Sequence, residues 1–85
     1  MSVKTKRALE VGRIEYLSNK GEPVACLEYL DEALMVAEIK ECLDYGIPIN
    51  IVLYRDESGK TMSKEWVEDL DCRPAGFQEI DYPYT

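Results

Sequence analysis

One stretch of this chain carries both a start and a stop signal for a long helix, and the rest of the fold must be arranged around it. Asp31 supplies a carboxylate able to cap free amides, and Glu32 suits the positive end of a helix dipole. Leu30 and Met35 stand at hydrophobic-staple spacing. At the far end, Gly46 suits the left-handed position after a helix, and Pro48 forbids continuation. The predicted helix therefore ends at about Tyr45. At 3.6 residues per turn, Met35, Val36, Ile39, Cys42 and Leu43 share one face. A helix with one apolar face needs an apolar layer to cover.

The flanking segments supply that layer with a period of two. Residues 8–17, "ALEVGRIEYL", alternate but change phase: Leu9 and Val11 share one parity, Ile14 and Tyr16 the other. A bulge at Gly12-Arg13 would allow the change. "SNKGE" is turn material, and "PVACLEYL" (23–30) is a second strand. Val24 through Leu27 are apolar at every position, which suits a strand covered on both sides or placed centrally. After the helix, "PINIVLY" (48–54) sets Ile49, Ile51 and Leu53 on one side and Asn50, Val52 and Tyr54 on the other. Ser63 then suits the cap of a short helix carrying Trp66, Val67 and Leu70.

The predicted fold is α+β, a two-layer β-β-α-β-α domain. Three strands form a mostly antiparallel sheet, with the third beside the first, and the main helix packs on one face. A β-grasp-like ββαββ arrangement, with residues 59–67 as a fourth strand, is the alternative. Residues 1–7 are a basic, fraying N-terminus, and 8–71 form one domain. Residues 72–85 are an acidic, tyrosine-containing tail, extended because Pro83 cannot donate to a ladder. Ile80, Tyr82 and Tyr84 share one parity, so this tail also suits an edge strand or a docked peptide.

Length and composition narrow the function classes. Eighty-five residues allow one modest core. The start of the chain has no apolar run of signal-peptide length, and nothing approaches the ~20 apolar residues of a membrane span. A soluble, cytoplasmic protein is expected. The cysteines, Cys26, Cys42 and Cys72, are three and widely spaced, which argues against a disulfide framework. Cys26 and Cys42 fall on apolar patterns and read as small core residues. With no histidine in the chain, the common zinc sets cannot form, and no metal or cofactor is expected.

Catalytic inventories are thin. A serine or cysteine nucleophile usually needs a histidine base. Cys72 sits beside Arg73, but Glu68, Asp69 and Asp71 would raise its pKa. Gly59-Lys60-Thr61 resembles the end of a phosphate loop, but Tyr54 stands where that loop needs its first glycine. Asp56 and Glu57 would repel phosphate there, so a surface turn with Gly59 at positive φ is the reading adopted. No catalytic residue is assigned.

Charge and tyrosine point elsewhere. The net charge is −7 and uneven: residues 1–20 hold five bases against two acids, residues 21–85 five bases against fifteen acids. An acidic body disfavours direct nucleic-acid binding and favours a basic protein partner. Leu34, Glu38, Glu41 and Tyr45 run along the helix at i, i+4, i+7, i+11 spacing, more apolar than a solvated face needs. Of six tyrosines, Tyr16, Tyr29 and Tyr54 suit half-buried strand positions, while Tyr82 and Tyr84 do not. The expected function is a small acidic interaction module, an adaptor or inhibitor, using Leu34, Glu38, Glu41, Tyr45, Tyr82 and Tyr84 on a basic partner or on a second copy of the chain. A small-molecule binding module, and then a carboxylate- or metal-dependent enzyme, are the alternatives.

Overall fold

The computed structural model describes residues 10–56, 58, 59, 61 and 76–83. Their order is β1 (Gly12–Leu17), β2 (Pro23–Tyr29), α1 (Glu32–Asp44), β3 (Ile49–Arg55) and β4 (Gly76–Asp81). The sheet order is β2-β1-β3-β4. β1 is antiparallel to both β2 and β3, and β4 lies parallel to β3. The domain is thus α+β, with α1 packed on β1 and β2.

Both helix ends form as the residue types dictate. Asp31 Oδ1 accepts from the amides of Ala33 and Leu34, at 2.8 and 3.2 Å. At the other end Tyr45 is the cap and Gly46 takes φ 69°. Ile47 N–H donates to the Cys42 carbonyl (2.9 Å) and Gly46 N–H to that of Leu43 (3.3 Å), the pair of bonds that closes a Schellman motif. Met35, Ile39 and Cys42 face inward onto Ile14, Ile49, Ile51 and Leu53. Leu43 packs only partly against this core, and Leu30 stays exposed despite its staple spacing.

Several expectations need correction. The described sheet has four strands rather than three and is mixed: both pairings of β1 are antiparallel, as expected of most of the sheet, and β3–β4 is parallel. Of the alternative fourth strand over 59–67, Gly59 and Thr61 are described and are not strand, and the rest lies outside the described residues. It is Gly76–Asp81, whose parity suited an edge strand, that pairs with β3. The proposed helix after Ser63 lies outside the described residues, as do Lys60, Cys72 and Tyr84. The register shift falls between Tyr16 and Leu17, while Gly12 to Tyr16 stay in register with both neighbours.

The largest correction concerns β2. An unbroken apolar run predicted a central or doubly covered strand. Instead, among the described residues, β2 is an edge of the sheet, and six of its seven residues are exposed. Cys26, expected in the core, is exposed with it; Cys42 is buried as expected. Apolarity tells a strand that it should be covered, but pairing decides whether it is, and β3 took the inner place beside β1. The turn after β3 forms as expected. Gly59 has φ 82°, and its N–H donates to the Asp56 carbonyl (2.9 Å). The Ser58 amide, which a phosphate cradle would need, donates to the Asp56 carboxylate at 2.8 Å.

Candidate interaction surface

Leu34, Glu38, Glu41 and Tyr45 fall within a sector of roughly 60°, about 100° round the helix from the buried stripe. Side-chain bonds show which way that sector looks. The Tyr16 hydroxyl donates to Glu38 Oε2 at 2.6 Å, and Tyr29 of β2 stands close to the same hydroxyl. The flank therefore overlooks β2, where a right-handed crossover from β2 to β3 would also put it. Leu34 is 63% exposed and Tyr45 74%; on the strand below, Leu27 is 53% exposed. Ile14 pairs with Leu27 and Tyr16 with Ala25, so Leu27 and Ala25 point to the helix side. Leu34 and Leu27 thus stand near one end of a shelf, and Glu41, Tyr45 and Ala25 near the other.

Glu38 belongs to the floor of this shelf rather than to its outer surface. Besides Tyr16 it accepts a weak bond from the Cys42 thiol (3.7 Å). Burial, and then the bond to Glu38, push the Tyr16 phenol well above its usual range. Burial likewise raises the Cys42 thiol, with the Glu38 charge adding to it, so this cysteine is a poor nucleophile. Glu41 is exposed and carries the outward charge of the flank.

Tyr82 sits on the opposite layer. β4 residues of even number share the face of Asn50, Val52 and Tyr54. The Tyr82 ring meets Tyr54 edge-on at 5.5 Å, and its hydroxyl donates to Glu10. It is held within the sheet layer, not displayed on a loose tail, and the helix flank and Tyr82 do not form one surface.

A polar network on that second face had no signal in the sequence beyond parity. The Glu15 carboxylate accepts from Asn50 Nδ2 (2.8 Å) and from Arg13 Nε (2.9 Å). The Arg13 guanidinium also lies over the Tyr54 ring, 6.0 Å from its centre. Glu15 and Asn50 are register partners 35 residues apart, a pairing that only the strand order creates. The bond from Asn50, supported by Arg13, holds the Glu15 carboxyl below its ordinary range. Such a carboxylate contributes stability that is fully present above its ordinary pKa and is lost as pH falls through the lower folded-state value. Glu15→Gln should therefore be less stable than wild type near neutral pH. The gap should close below the ordinary value of 4.5. Urea midpoints measured from about pH 7 down to about pH 3 check this; a gap constant over that range removes Glu15 as the linked group.

Compared with protein-family models, curated proteins and solved structures, the chain matches none. The functional reading rests on its own geometry. Among the described residues, no three histidine, cysteine or acidic side chains are grouped to hold a metal ion. No helix among them is long and apolar enough to cross a membrane.

Proposed function

We propose that the protein is a small acidic interaction module whose partner presents a basic protein surface to the shelf formed by α1 and β2. One observation carries the reading: Leu27, Leu34 and Tyr45 are each more than half exposed and lie together along one flank of the molecule. Single exposed apolar residues are ordinary, but several along one flank mark a contact surface. The charge around them selects the partner. Glu41 and Asp44 stand in the last turn of α1, a turn without a base to balance the negative helix end. The whole chain carries −7. A second acidic copy is electrostatically the poorer occupant.

The test is to capture the partner with tagged protein and follow association and dissociation separately at several salt concentrations. Glu41→Lys should slow association by about tenfold at low salt, because exposed charges act through encounter. Tyr45→Ala should mainly speed dissociation. Glu38 is the wrong residue for charge reversal, since changing it also breaks its bond with Tyr16. Equal binding at ~50 mM and ~500 mM salt would defeat the electrostatic reading, because exposed charges are largely screened at the higher value.

A further inference from the structure

The outer backbone edge of β2 has the pairing groups of a strand and, among the described residues, no strand beside it. Which residues point outward follows from two bonds. Leu17 N–H donates to the Pro48 carbonyl and Tyr54 N–H to that of Val11, so from Arg13 to Leu17 the odd-numbered residues of β1 bond toward β3; only before the strand, at Val11, does an odd amide turn to the Tyr29 carbonyl of β2. In an antiparallel ladder the even-numbered ones then bond the other way. Ile14 and Tyr16 pair with Leu27 and Ala25. That leaves the N–H and C=O of Cys26, at the centre of β2, directed away from β1, with those of Glu28 after it; Val24 lies at the register shift.

Natural sheets guard such edges with charge, proline, bulges or cover. β4, the other edge, is guarded: Asp81 pairs with Arg55 and Glu79 accepts from Thr61. β2 has Pro23 and the register shift at one end and the charge of Glu28 near the other, but Ala25, Cys26 and Leu27 between them carry no charge. The unguarded stretch lies directly beneath the apolar and acidic helix flank.

We propose that β2 is a receiving edge, on which an extended segment of the basic partner adds as a fifth strand. This rests on the interaction reading above and specifies its mode. The segment's side chains must alternate. Those facing the helix place one apolar residue against Leu27 and Leu34. They place one arginine or lysine against Glu41 and Tyr45, where a carboxylate and a ring face neighbour each other at i, i+4. Leu34 and Glu41 are about 10 Å apart along the helix axis. Strand residues on one side recur every ~6.6 Å. The apolar residue and the base therefore sit two or four positions apart.

The probe is a panel of end-capped nonapeptides that alternate threonine with a second set of residues. In that set leucine and arginine occur two or four positions apart, in both orders. Controls replace arginine by glutamate or put proline at the centre. Binding is followed on isotope-labelled protein by amide shifts and by hydrogen exchange at Cys26. At least one basic peptide should bind and slow exchange at Cys26 by about tenfold or more, as a new ladder bond does. The glutamate and proline controls should not. Glu41→Lys should weaken binding by about tenfold without altering the fold, as far-UV circular dichroism will report.

Binding of a peptide, or of the captured partner, with Cys26 exchange unchanged overturns strand addition while leaving the interaction reading intact. Failure of every panel member below ~1 mM overturns the basic segment as occupant. Protection of Cys26 that grows with protein concentration alone, together with a dimer mass in light scattering, makes a second copy the occupant and overturns the proposal.

Discussion

Ile39→Ala should lower the free energy of unfolding by about 2–5 kcal/mol. Ile39 is wholly buried at the centre of α1, against strand residues of which Ile14, Ile51 and Leu53 are also wholly buried. Truncation removes buried methyl and methylene groups and leaves a void that a sheet on one side and a helix on the other cannot close. A domain of this size has a total stability near the low end of ~5–15 kcal/mol, so the variant should be largely unfolded at modest urea. Ile39→Val, which removes one methylene, should cost only about 0.5–1.5 kcal/mol. Alanine is a better helix former than isoleucine, so any loss that equilibrium urea unfolding reports for Ile39→Ala is a packing loss. An alanine variant within about half a kcal/mol of wild type would mean that the buried stripe does not run through Ile39.

Gly12→Ala is also expected to destabilise the fold, from the opposite cause. Gly12 is buried on the helix side of β1, opposite Tyr29 and Leu53. A methyl group there would run into the Val52 carbonyl and stand 3.0 Å from Met35 Cε and 3.3 Å from Leu53 Cα. Two of those three obstacles are backbone of the adjacent strand, so side-chain motion alone cannot relieve them. Replacing glycine in a strand gains up to about 1 kcal/mol by restricting the unfolded chain. Overpacking costs about 1–3 kcal/mol, and more where backbone must shift, so destabilisation wins. Gly76→Ala is the internal comparison. Its obstacle is the end of the Asn50 side chain, which can turn away. That variant should lose less stability, and it should lift Glu15 back toward its ordinary pKa by disturbing the bond from Asn50. Paired thermal unfolding decides: equal losses at the two positions would show that backbone crowding at Gly12 is not the controlling term.

Along the chain, what could be read early was local. Asp31, Gly46 and Pro48 bracket a helix through interactions within a few residues, and its ends formed with the bonds those residue types supply. The alternation of Ile49 through Tyr54 assigned both faces of β3. The positive φ of Gly59 followed from the same short-range chemistry. In the candidate surface, the exposure of Leu34 and Tyr45 was legible because the helix phase was.

Strand neighbours are another matter. A run such as Pro23–Tyr29 states its preference for cover without stating whether cover arrives, and β2 was left as an edge because β3 took the inner place beside β1. Gly76–Asp81 is polar enough to read as a tail, yet its backbone groups pair with β3. The same distance in sequence hid the bonds of Glu38 to Tyr16 and of Glu15 to Asn50, and the edge-on contact of Tyr82 with Tyr54. Sequence alone therefore determined the helix, its buried face and the acidic, tyrosine-bearing character of the chain, because caps, periodicity and charge act within a few residues or simply add. Tertiary structure alone decided which strand lies at the edge of the described sheet and which acids are held inside the fold. Those outcomes depend on register and strand order, which bring together residues tens of positions apart.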